Sequence, residues 1–92
     1  MIRSIKGSAT RQFIEQGKSR FPGLNVALAY RRLNQLNAAS DLTALTSLNS
    51  VGLHKLKGDK RGFWSIDVNA GWRVLFRFDD GHALDVHILD PH

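Results

Sequence analysis

Apolar residues recur along this chain with two different periods. Between residues 24 and 37, Val26, Ala29, Tyr30, Leu33 and Leu36 stand three and four positions apart, the stripe of a helix with one buried side. From residue 63 the period falls to two. Phe63-Trp64-Ser65-Ile66-Asp67-Val68 places Trp64, Ile66 and Val68 on one face, and Trp72-Arg73-Val74-Leu75-Phe76-Arg77-Phe78 places Trp72, Val74, Phe76 and Phe78 together. Two adjacent strands are therefore predicted. Asn69-Ala70-Gly71 reads as the hairpin loop between them. Asp79-Asp80-Gly81 is a stronger turn, because Asp-Gly tolerates the positive φ values that tight hairpins demand. A third strand is expected over 83–89 and a fourth near 53–56.

The remaining segments are shorter. Residues 2–5 suit an edge strand. Ser8 or Thr10 is in place to cap a first helix through 11–15, with Gly17 ending it. Pro22 and Gly23 punctuate the chain before the main helix, from whose stripe Arg31 and Arg32 are expected to project. Ser40-Asp41 should cap a short helix over 42–48. Helices first and an antiparallel meander second predict an α+β fold, with N-terminal helices packed on one face of a twisted antiparallel sheet. At 92 residues the whole chain, 1–92, is expected to be one domain with a thin core.

Composition narrows the function classes. There is no cysteine, so a disulfide framework and a thiolate metal site are both excluded. The N-terminus is charged within three residues and no apolar run reaches the length of a signal peptide or a membrane span, so a cytoplasmic protein without a membrane role is expected. The formal net charge is +5, which favours a polyanionic partner. That charge is segregated. Residues 1–32 carry seven basic groups and one acid, residues 55–77 six basic groups and two acids, and residues 78–92 four aspartates and no Lys or Arg.

If the apolar side of the sheet meets the helices, the other side carries Phe63, Ser65, Asp67, Arg73, Leu75 and Arg77. Such a face can lay out a single RNA strand, since guanidinium groups bind phosphates and planar groups stack on bases. Alternation by itself equally allows a merely solvated face. Of the four histidines, His82 falls in a hairpin, His87 is expected to face solvent on the last strand, His92 is terminal, and His54 lies in the strand expected near 53–56. Imidazole is the natural proton carrier for phosphodiester cleavage, but the spacing matches no metal motif. Glycine-rich nucleotide loops and nucleophile elbows are absent from the sequence.

The run Leu53-His54-Lys55-Leu56-Lys57-Gly58-Asp59, then Trp64-Ser65-Ile66-Asp67-Val68-Asn69 with Trp72-Arg73, then Phe76-Arg77-Phe78 and a closing Asp90-Pro91-His92, resembles the HigB toxins of the RelE superfamily. The family pattern is LHxLKGD, WSIxVNxxWR, FxF and a terminal DYH. The resemblance covers about forty residues continuously. It implies the compact RelE fold and a ribosome-dependent, metal-independent endoribonuclease that attacks through the 2'-hydroxyl and needs no cofactor. Carried over by position, the implied active-site residues are His54, Lys57, Arg73, Asp90 and His92. The basic and aromatic neighbours Lys55, Lys60, Arg61, Phe63 and Arg77 are the implied RNA contacts. The implied partners are the mRNA, the decoding site of the ribosome and a HigA-type helix-turn-helix antitoxin, with operator DNA reached only through that antitoxin.

Two features strain the resemblance. Pro91 stands where the family has tyrosine, which removes a ring able to stack on a base and fixes φ before the last residue. In a continuous strand His54 would share a face with Leu56 and oppose Lys57, and a bulge or loop is needed to reconcile them. The Pro91 change and the segregated basic charge leave a second function class open: an RNA- or ribosome-binding or co-repressor module that performs no chemistry.

Overall fold

The computed structural model describes residues 1–46 and 51–90. Three helices precede a four-stranded antiparallel sheet: α1 (Ser8–Gln16), α2 (Val26–Ala38), α3 (Leu42–Thr46), β1 (His54–Lys55), β2 (Trp64–Asp67), β3 (Arg73–Asp79) and β4 (His82–Leu89), with a 3-10 turn over Gly58–Lys60. The strands pair in chain order, β1-β2-β3-β4. The α+β architecture expected from the two periodicities is the one observed. Residues 2–5 do lie at the sheet edge, as parallel bridges from Ile2 to Ala83 and Ile5 to Val86.

Helix α1 ends as predicted, with Gly17 left-handed at φ 73, but neither Ser8 nor Thr10 caps its start. Thr10 is buried instead, and its hydroxyl accepts the Ile88 N–H at 3.0 Å, closing part of the outer edge of β4. Asn25, not anticipated as a cap, accepts the Leu28 N–H at 3.1 Å at the start of α2. Asp41 caps α3 through Ala44 N–H, and the expected helix end at Leu48 lies outside the described residues.

The core fills the space between α1, α2 and one face of the sheet. Phe13, Ala29, Leu36, Ile66, Val74, Phe76, Ala83 and Val86 are fully buried there. Phe13 stacks on Tyr30 at 4.6 Å and meets Phe21 edge-on, and Phe21 in turn meets Trp72 at 5.2 Å. The Trp72 indole N–H donates to Pro22 O at 2.8 Å, and the Asn69 amide donates to Gly23 O while accepting from Asn25 N. These bonds tie the start of α2 to the β2–β3 hairpin.

Arg32 departs from the sequence expectation. It does not project into solvent: it is 4% exposed, and its Nε donates to the main-chain oxygen of Asp67 at 2.8 Å while a terminal nitrogen donates to Gln35 at 3.0 Å. The buried side of α2 is wider than the apolar stripe suggests, because its flank covers the end of β2. The aliphatic stem packs and the guanidinium satisfies a strand-end carbonyl.

The sheet face away from the helices is not simply solvated either. Ser65 and Leu75 are fully buried and His87 is 8% exposed, so His87 does not face solvent as expected. His87 packs there against Phe63, and the side it takes is set by a bulge in β4. Register runs Leu75↔His87 on one side and Arg77↔Leu84 on the other, leaving Asp85 at φ 52 as the additional residue. Ala83, Val86 and Ile88 therefore all serve the core, which strict alternation forbids, and His87 turns to the opposite face.

Replacing Arg32 with methionine preserves stem packing but strands the Asp67 carbonyl. Urea unfolding of Arg32→Met should show a loss of about 1.5–3 kcal/mol, the usual worth of a buried hydrogen bond from a charged donor. An unchanged midpoint would show that this bond carries no stability.

Candidate functional site

The face away from the helices is organised in cross-strand rows. One row runs His54↔Ser65↔Leu75↔His87, and the next contains Asp67↔Arg73↔Leu89. Partners in an antiparallel sheet share a face, so His54, Asp67 and Arg73 converge at one end. The Asp67 carboxylate lies between Arg73 and His54. Its Oδ1 is 3.5 Å from Arg73 Nε and its Oδ2 is 3.8 Å from His54 Nε2. The side chains of His54, Asp67 and Arg73 are 54%, 45% and 26% exposed, so the site is open to solvent. Among the described residues, Asp67 Oδ1 and Ser65 Oγ are buried atoms without a hydrogen bond, and Oδ1 is left to its ion pair with Arg73.

Arg73 and Asp67 border an open depression of about 360 Å³ whose other wall is the hairpin at 68–72. Its floor is shaped by Ala70 and Gly71, both at positive φ (49 and 85), with Trp72 N–H donating to Asn69 O at 2.8 Å. The Asp90 carboxylate rests on Gly71: a Cβ at that position would lie 2.9 Å from its Oδ2. Asp90 thus joins the Arg73 end of the face. His92 lies outside the described residues, as does Pro91.

Strand β1 stops at Lys55, which removes the parity conflict between His54 and Lys57. Lys57 takes an extended conformation at the entry to the 3-10 turn and is exposed, so strand alternation does not govern its direction. Lys55 pairs with Trp64 and places its ammonium 5.8 Å from that indole, on the helix-facing side of the sheet and away from Arg73. Arg61 is exposed just beyond the turn.

A second cluster occupies the other end of the face. Phe63 packs edge-on against His87 at 5.7 Å, with Arg77 and Lys6 each 5.6 Å from its ring centre. The bulge carbonyl of Asp85 lies 2.8 Å from His87 Nδ1. A carbonyl only accepts, so Nδ1 carries the proton and Nε2 is left as an acceptor. Burial holds the pKa of His87 below its ordinary value of 6.5, and the positive charges of Lys6 and Lys60 act in the same direction against the opposing pull of the Asp85 carbonyl. Lys60 therefore belongs to this end with Phe63 and Arg77.

Sequence reasoning placed Asp67 on this face without linking it to Arg73, and it missed Lys6 and the orientation of His87. The first was accessible: a three-residue loop at 69–71 sets Asp67 opposite Arg73. The others depend on the bulge and on the N-terminal segment reaching β4.

Comparison with known proteins gives a consistent result. Residues 3–92 match the family described as RelE-like toxin of type II toxin-antitoxin system HigB. The chain is 36% identical over 93 residues to a Proteus vulgaris protein named endoribonuclease HigB, covering all of both chains. It is 32% identical over 94 residues to toxin HigB-1 of Vibrio cholerae serotype O1, covering all of this chain and 98% of that protein.

Two measurements probe this geometry. Because His87 is held neutral, the unfolded chain takes up a proton first as pH drops below 6.5. Stability should thus be full above that value and decline below it until the folded pKa is reached, and His87→Gln should flatten the decline in thermal unfolding across about pH 7.5 to 5. Gly71→Ala should cost about 1 kcal/mol or more in urea unfolding, because φ is positive there, and should shift the carboxyl NMR signal of Asp90. An unmoved signal would contradict the close approach.

Proposed function

Because the chain belongs to the HigB-like family of RelE-like type II toxins, we propose that it is an endoribonuclease that cuts messenger RNA on the ribosome under the control of an antitoxin. The observation that carries this reading is the partly exposed Arg73 at the edge of an open depression, paired with Asp67, whose other oxygen faces His54. A guanidinium so mounted is suited to a phosphate and to the charge that grows on it during cleavage. The relative named endoribonuclease HigB, aligned over its whole length, supports the same chemistry.

In the proposed reaction the 2'-oxygen attacks the neighbouring phosphorus and the bond from phosphorus to the 5'-oxygen breaks. A base takes the 2'-hydroxyl proton and an acid delivers one to the departing 5'-oxygen, leaving a 2',3'-cyclic phosphate and a 5'-hydroxyl. Side chains suffice, with no metal or cofactor assigned a role. Arg73 holds the phosphate and Lys57 adds positive charge. His54 and His92 are the proton carriers, and Asp90 orients His92 or the nucleotide. The strip formed by Phe63, Arg77, Lys60 and Arg61 receives the flanking RNA by stacking and phosphate contact. Lys55, on the other side of the sheet, is left out of that strip.

The partners proposed are the ribosomal decoding site with its mRNA, and a HigA-type helix-turn-helix antitoxin through which operator DNA is reached. A binding-only role is favoured by one feature, proline at position 91 in place of the family tyrosine. Such a module would bind RNA with a salt dependence of about 0.7 decade per decade of salt for each phosphate neutralised, yet yield no product.

Mapping message 5' ends after induction separates these readings. Internal cuts should appear with translating ribosomes and not with naked RNA. Arg73→Ala should lower cutting by about 10²-fold or more while leaving the thermal midpoint close to wild type, since it removes charge stabilisation and little packing. Intact messages under wild-type induction would defeat the enzyme reading in favour of the binding module.

A further inference from the structure

Asp67 is built into the site more firmly than a surface carboxylate needs to be. Its N–H donates to Val51 O at 2.8 Å and its carbonyl accepts from the buried Arg32 at 2.8 Å, so its main chain is held from both sides. Gly52 stands beside the carboxylate at φ 64, and a Cβ there would fall 2.8 Å from Asp67 Cγ. The backbone thus leaves a space that this carboxylate occupies. From it, one oxygen faces Arg73 Nε and the other faces His54 Nε2.

The atoms it meets are informative. Contact with Arg73 through Nε leaves the forked edge of terminal nitrogens to engage two oxygens of a phosphate. A carboxylate facing His54 Nε2 favours the proton on that nitrogen, which leaves the Nδ1 lone pair as the acceptor.

We propose that Asp67 is a positioning residue that aims both Arg73 and His54 at a bound RNA phosphodiester; the inference rests on the endoribonuclease reading above. Asp67 itself does not touch the substrate. Its negative charge opposes RNA binding, since it lies beside the group that receives the phosphate. A bystander aspartate would therefore weaken affinity and leave turnover alone, whereas a positioning one weakens affinity and raises turnover.

That opposition gives the test. Cutting of a defined message on purified ribosomes is followed under single-turnover conditions, with the full-length protein in excess at increasing concentration. For Asp67→Asn the maximal rate should fall about ten- to hundredfold while the half-saturating concentration stays level or decreases. Asparagine keeps the shape and both main-chain bonds, and thermal unfolding verifies that the variant is folded. Gly52→Ala, which displaces the carboxylate but retains its charge, should lose rate with no gain in affinity. If Gly52→Ala does not fold, Asp67→Asn alone decides. Wild-type maximal rate in Asp67→Asn overturns the proposal whatever its affinity. An uncut message with the wild-type protein would instead remove the endoribonuclease reading, and this inference with it.

Discussion

The hydrogen bond from Arg32 to the Asp67 carbonyl is the constraint on which the functional face depends. A buried guanidinium is tolerated only when its donors are satisfied, and this one is satisfied by a strand end and by Gln35 on its own helix. The consequence is mutual. The helix cannot slide along the sheet without stranding a cation, and the end of β2 cannot fray without losing the donor to its carbonyl. Val51 holds the same residue from the other side, its carbonyl accepting the Asp67 N–H. Residue 67 is thereby fixed in space, and its side chain and its cross-strand partner Arg73 are fixed with it.

The bulge at Asp85 does comparable work at the other end of the sheet. One additional residue lets β4 supply the core on both sides of the irregularity while turning His87 toward the opposite face. The same residue offers its carbonyl to His87 Nδ1, so a single backbone irregularity both aims the ring and selects its tautomer. Phe63, flanked by Lys6 and Arg77, completes a cluster of a kind that can take up bases and phosphates together.

The chain belongs to the HigB-like toxin family, and the groups proposed for its site are mounted on strands. Arg73, Asp67 and His54 stand on three adjacent strands, and Asp90 follows directly on the fourth. The distances between them are therefore set by sheet geometry, about 4.8 Å from strand to strand. Among these groups the carboxylate of Asp67, set between Arg73 and His54, is the least expected member. It stands beside groups suited to a phosphate, where a negative charge lowers affinity.

Much of this protein could be read from residue order alone. The three- and four-residue spacing from Val26 to Leu36 and the alternation around Trp64 and Val74 determined the helix, the strands and the α+β class, because local periodicity reports directly on which side is buried. The two hairpins followed from Asn69-Ala70-Gly71 and Asp79-Asp80-Gly81, whose central residues do adopt positive φ. Tertiary structure alone decided that Arg32 turns inward, that Thr10 seals a strand edge rather than capping a helix, and that His87 is buried. Each outcome depends on a backbone group that the paired sheet leaves open: the carbonyl of Asp67 and the N–H of Ile88, both distant in the chain from the side chains that meet them, and the carbonyl of Asp85 in the bulge beside His87. Periodicity carries no record of such groups, since they become available only once the strands have paired.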